Sequence, residues 1–218
     1  MATSVVGELV VWSDTTATEV DRAAGTGPVM LTSGVYHAGN MPVLPWVSGR
    51  YYDPLTGLPG GTWTAAAVTS LRLYAAPVYV PNTVTVSEFG INITTLAAGG
   101  NARIAVYHMG TDGKPGAILW QGASTLDTSG TGEKTFTGLT QELVGGRWYW
   151  FAIAFDNATN QTHKNAMTNM SGGHSSHSTA TKLGISLYKT LGSLVLPDPF
   201  GTETGTLTDI YRVSARIA

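Results

Sequence analysis

The stretch Arg147-Trp148-Tyr149-Trp150-Phe151-Ala152-Ile153-Ala154-Phe155 is apolar on both parities. Side chains alternate across a strand, so Trp148 and Trp150 point one way and Tyr149, Phe151, Ile153 and Phe155 the other. Such a strand must be covered on both faces, which makes it central to a layered β structure or part of an interface. Its eight apolar residues from Trp148 onward are about half of the roughly 18 that a membrane helix needs, so no segment is expected to enter a bilayer.

Period-2 alternation predicts strands at residues 70–80, 83–95, 101–109, 117–122, 133–137, 146–156, 183–187 and 206–217. Eight strands fit an all-β fold, an antiparallel β-sandwich of jelly-roll-like type. Ala102, Ile104, Val106 and His108 share one face, so one side of that strand meets the core. In the last strand Leu207, Tyr211, Val213, Ala215 and Ile217 oppose Thr208, Arg212, Ser214 and Arg216. That strand should lie inside a sheet, and truncating it should unfold the domain. Between 83 and 93 the apolar parity switches from Val84 and Val86 to Phe89, Ile91 and Ile93, which predicts a bulge near Ser87. Asp112-Gly113-Lys114-Pro115-Gly116 is a turn signal. Residues 157–181 turn polar and read as one long loop, a length that is usually functional.

Residues 1–45 differ in character. Short pieces such as Leu9-Val10-Val11-Trp12 and Val29-Met30-Leu31-Thr32 are separated by Gly, Thr and Pro and cannot close a core alone. They are expected to pack on another copy or on the main body. Asn40-Met41-Pro42-Val43-Leu44-Pro45-Trp46 reads as an extended connector, so an arm at 1–45 is expected to precede a sandwich at 46–218.

Composition removes whole classes of function. The 27 Gly and 10 Pro, with Thr and Ser between them, disfavour long helices. Charged residues make up 12%, about half the usual share of roughly 25%, so the surface is close to neutral. A net charge of −2 supplies no basic stripe for a phosphate backbone, and nucleic acid is not an expected partner. With no cysteine there is no disulfide framework, thiol nucleophile or thiolate zinc site. The opening residues Met1 to Glu8 carry no Lys or Arg ahead of their apolar residues, so no secretory signal is expected.

No carboxylate stands in a recognised catalytic motif. A glycosidase needs two carboxyl groups about 5 to 10 Å apart, and a pair such as Glu88 with Asp156 stays open at this level. His174 and His177, with His163 upstream, have a metal-like spacing, but Gly172-Gly173-His174-Ser175-Ser176-His177 does not favour the helix that would bring them together. No metal or cofactor is expected, although a threefold axis would gather copies of one histidine.

Glycan recognition needs aromatic planes beside Asp, Asn and His partners for the hydroxyls. Trp148, Tyr149 and Trp150 belong to core or subunit contacts, whereas Trp63 and Trp120 are expected to be partly exposed. The start of the long loop adds Asp156, Asn157, Asn160 and His163, with Gln161 and Asn165 between and beyond, and His174 and His177 follow. These residues form the expected ligand-binding rim.

Three blocks then carry a resemblance: Ala102-Arg103-Ile104-Ala105-Val106-Tyr107, Gly113-Lys114-Pro115-Gly116-Ala117-Ile118-Leu119, and Gly146-Arg147-Trp148-Tyr149-Trp150-Phe151-Ala152. The order of strand, Pro-Gly turn, strand and aromatic strand resembles the β-sandwich modules at the tips of bacteriophage fibres. Gly7-Glu8-Leu9-Val10-Val11-Trp12, with Arg22, Gly25-Thr26 and Val29-Met30-Leu31-Thr32, is similar to the short segment that trimerises fibre necks, with Pro28 where that family usually has Gln. The resemblance implies a homotrimeric virion fibre or spike. Its arm would seat on other virion proteins, and its sandwich would bind host surface polysaccharide by adhesion without turnover. The chain would be made in the host cytoplasm and act outside after lysis. A glycan-degrading tail enzyme and a purely structural capsid-decorating fibre are the alternatives.

Overall fold

A computed structural model describes residues 29–32, 35–38, 44–56, 62–166 and 185–218. The chain divides into two compact units, Met1–Leu44 and Pro45–Ala218. In the first, the described residues form an antiparallel hairpin of β1 (Val29–Thr32) and β2 (Val35–Ala38), with Val29 opposite Ala38 and Thr32 opposite Val35. The pieces at 7–12 and 19–22 lie outside the described residues.

The second unit is all-β among its described residues. Its strands are β3 (Tyr51–Tyr52), β4 (Thr64–Ala67), β5 (Arg72–Val80), β6 (Val84–Thr95), β7 (Asn101–Met109), β8 (Pro115–Gln121), β9 (Leu126–Asp127) and β10 (Gly132–Phe136). There follow β11 (Gln141–Leu143), β12 (Arg147–Phe155), β13 (Gln161–Ala166), β14 (Ser186–Thr190), β15 (Gly205–Leu207), β16 (Asp209–Tyr211) and β17 (Ser214–Ile217). They build an eight-stranded sheet, in the order β16-β13-β6-β17-β3 with β4, β10 and β11 attached, and a seven-stranded sheet, in the order β15-β14-β5-β12-β7-β8 with β9 attached. All pairings are antiparallel. The two sheets form the expected sandwich.

The alternation of each strand places its apolar set in the space between the sheets. Val86, Phe89, Ile91 and Ile93 of β6 meet Ile104 and Val106 of β7 and Tyr149, Phe151, Ile153 and Phe155 of β12, all buried. The doubly apolar strand is central, with β5 on one side and β7 on the other. Its second face, with Trp150, Ala152 and Ala154, is covered by Leu191, Leu194, Leu196 and Phe200. Polar ties hold this 191–200 strap in place. The Tyr107 hydroxyl donates to the Pro197 carbonyl at 3.0 Å, and Lys189 Nζ donates to the Phe200 carbonyl at 2.7 Å. Burial, and then the nearby Asp198 charge, hold the Tyr107 phenol well above its ordinary range.

The parity switch in β6 is a bulge at the predicted position. Arg216 pairs with Glu88 and Ile217 with Val86, so Ser87 is the extra residue, and its hydroxyl donates to the Arg216 carbonyl at 3.2 Å. Two expectations need correction. Residues 157–181 are not one loop, because β13 occupies Gln161–Ala166. Its buried positions, Thr162 and Asn165, are polar and donate to the carbonyls of Asn92 and Thr62, so apolar alternation is missing although the strand is real. The single strand expected at 206–217 is three short ones, of which β15 belongs to the seven-stranded sheet and β16 and β17 to the other. The chain crosses between sheets that share one core, so the buried parity survives the crossing.

Candidate functional site

The rim expected around Asp156 is a structural knot. Asp156 Oδ1 accepts from the Asn101 backbone N–H at 2.7 Å, and Oδ2 accepts from Asn101 Nδ2 at 3.1 Å. Asn157 Oδ1 accepts from the Thr159 N–H at 2.8 Å, closing a local turn. Asn160 is fully buried. Its Oδ1 accepts from Thr128 Oγ1 at 2.9 Å, and its Nδ2 faces the carbonyls of Thr128 and Thr95 at 3.3 and 3.4 Å. An amide with its atoms consumed internally has nothing to offer a ligand, which removes Asn160 from any binding surface.

The tryptophans divide. Trp120 is only half-buried, yet its ring stacks into the interior, 4.5 Å from Phe89 and 5.6 Å from Phe136. It does not join the Asp156 group. Trp63 packs against Leu55, Ala76 and Ile210, and the Arg212 guanidinium lies 5.6 Å from its ring centroid. His163 neighbours the same arginine, since its carbonyl accepts from the Arg212 N–H at 2.9 Å. Burial, and secondly the Arg212 charge, hold the His163 imidazole below its ordinary value, and its Nδ1 is buried without a partner. Trp63 and His163 thus come together through Arg212. His174 and His177 lie outside the described residues, and among those described no group of three His, Asp or Glu is placed to hold a metal ion.

Arg212 also borders a depression that no sequence motif announced. On the outer face of the eight-stranded sheet, Tyr51, Glu88, Asn92, Glu133, Thr135, Arg212 and Ser214 surround Gly90 and enclose about 150 Å³. The register explains the assembly. β6 carries β10 along one edge and β17 along the other, so Gly90 stands between Thr135 and Ser214, Asn92 beside Glu133, and Glu88 beside Arg216, which in turn pairs with Tyr51. The floor is low because its central residue has no side chain.

Both guanidiniums near the depression already have partners. Arg216 Nη1 bonds Glu88 Oε1 at 2.8 Å, and Arg212 Nε bonds Asp53 Oδ2 at 3.1 Å. The Tyr51 hydroxyl lies 3.5 Å from Glu88 Oε2, longer than an ordinary hydrogen bond, and the Arg216 guanidinium lies 5.9 Å from the ring centroid; Tyr51 is 52% exposed, so part of the ring and the hydroxyl are open to a ligand. Glu133 has no ion-pair partner among the described residues. The lining combines one aromatic plane with acceptors, an amide and hydroxyls, the mixture that a polyhydroxylated ligand requires. Glu88 belongs to this depression, while Asp156 is tied to Asn101 at the start of β7 in the other sheet, so these two carboxylates do not form a pair.

No family model and no curated protein matches the chain. Among solved structures, the infectious bursal disease virus Gx strain is similar over 90% of this chain and 43% of its own, with 13% identity and a TM-score of 0.32. The Gt strain of that virus is similar over 93% and 44%, with 14% identity and a TM-score of 0.31. Its VP2 subviral particle is similar over 93% and 45%, with 11% identity and a TM-score of 0.30. The chain therefore spans less than half the length of each of these chains.

Proposed function

We propose that this protein is a virion fibre or spike component that binds host surface polysaccharide by adhesion. The observation that carries the reading is the convergence of Tyr51, Asn92, Glu133, Arg212 and Ser214 around Gly90 on an open sheet face. About 150 Å³ is small beside the roughly 300–1,000 Å³ of drug-sized ligand sites, and suits one sugar ring. One such contact is weak. Copies joined through residues 1–45, as the likeness to trimerising fibre necks implies, would convert weak contacts into long residence through effective concentration.

A hydrolytic reading draws support from Glu88 and Glu133 lining the same depression. The restraint on Glu88 weighs against it, since its Oε1 is held by Arg216 Nη1 at 2.8 Å.

The test incubates the labelled full chain with host polysaccharide, measuring bound protein and reducing ends together. Saturable binding that Tyr51→Ser and Arg212→Gln weaken, without new reducing ends, supports adhesion. Release of reducing ends by the wild type, abolished by Glu133→Gln, overturns it.

A further inference from the structure

The geometry points to a ligand class: the depression selects a sugar ring without an acid group, and Glu133 is the residue that sets this preference. The inference rests on the adhesion reading and narrows it. The two arginines at the depression are already matched, Arg212 by Asp53 and Arg216 by Glu88. Neither presents an uncommitted positive charge to a carboxylate or sulfate. Glu133 is left over: it is exposed on β10, lines the depression, and has no counter-ion among the described residues. Of the three charged groups that line the depression, two are acids (Glu88, Glu133) and one is a base (Arg212), so the lining is negative.

An unpaired carboxylate discriminates in both directions. It accepts short charge-assisted hydrogen bonds from neighbouring hydroxyls of a neutral ring. Against an acidic ring it places like charges in contact, and the mismatch adds to the cost of desolvating both. Tyr51 lines the other end of the depression, across β6 and β17 from β10, and offers a partly exposed ring there, while the Asn92 amide and the Ser214 hydroxyl can serve either kind of sugar. Selection therefore falls to the charge and not to the hydrogen-bond donors.

The experiment compares the full chain on two immobilised polysaccharides that share a backbone, one carrying uronic acids and the other the same polymer with those acids reduced to alcohols. Binding is read at about 20 and 300 mM salt, the span over which surface charge is progressively screened. The expected result is binding to the reduced polymer, with the acidic one at least about tenfold weaker at low salt, the size of effect one charged hydrogen bond commands. Glu133→Gln, which keeps the shape of an exposed side chain, should narrow that ratio, and Glu133→Lys should invert it. A wild-type preference for the acidic polymer, or a ratio unmoved in Glu133→Lys, overturns the assignment of class and leaves adhesion standing. Binding to neither polymer overturns the adhesion reading and this inference with it.

Discussion

Gly90 and Thr135 face each other across β6 and β10 so closely that a Cβ at Gly90 would come within 2.7 Å of Thr135 Cγ2 and 3.1 Å of the Lys134 carbonyl. The glycine is therefore both the floor of the depression and a condition for its strand pairing. Gly90→Ala is expected to destabilise the unit by about 1–3 kcal/mol, as overpacking does. Thr135→Ser in the same chain removes the offending methyl and should restore part of that loss, leaving the contact to the Lys134 carbonyl. Thermal denaturation of the two single variants and the double variant reads the coupling directly.

Asn160 is the counterpart inside the fold. Asn160→Ala would strand the buried Thr128 hydroxyl and take a donor from the carbonyls of Thr95 and Thr128, the second of which keeps the Ala97 N–H. A cost of about 1–3 kcal/mol is expected from the lost partners. Polysaccharide binding by the fraction that stays folded should match the wild type, because none of these atoms reaches the depression. Denaturant midpoints and binding isotherms on one preparation would check both halves.

The contrast between these two residues explains what was legible in the sequence. Strands with an apolar face could be read directly, and so could the Ser87 bulge, because burial imposes a parity and a bulge shifts it. β13 could not, since its buried Thr162 and Asn165 satisfy themselves on backbone carbonyls and look like loop residues. Asn160, chosen for its polarity, is polar for the same structural reason. The depression escaped notice because it depends on a missing side chain at Gly90 and on a register that brings Tyr51 beside Arg216, 165 positions later in the chain. Trp63 and His163 both meet Arg212, which lines the depression, though neither lines it itself.

His163 should leave a signature in the pH dependence of stability. Its imidazole is held below the ordinary 6.5 by burial and by the Arg212 charge. In the window below 6.5 the unfolded chain therefore binds a proton that the folded chain resists. Stability from this group is whole above that value and is lost as pH falls from it toward the folded-state value. The Glu203 carboxyl, held below its ordinary range mainly by its hydrogen bond from Lys114, acts at lower pH and does not confuse the window. His163→Gln is expected to flatten the slope between about pH 5 and 7, read as denaturant midpoints across that range.

The strap at 191–200 gives the last expectation. Phe200 is fully buried and meets the Tyr107 ring edge-on at 5.4 Å, closing the second face of β12 over Trp150, which is itself 5% exposed. Removing that ring leaves a cavity between strap and sheet that the anchors at Leu191 (to the Leu71 carbonyl), Pro197 and Phe200 keep from collapsing. Phe200→Ala is expected to cost about 3–5 kcal/mol. It should also shift tryptophan emission to the red before global unfolding, as water gains access to Trp150. Polysaccharide binding below the transition should hold, since the depression lies on the outer face of the other sheet, with the whole sandwich core between. A loss of binding in Phe200→Ala at temperatures where the fold persists would place the ligand on the strap instead.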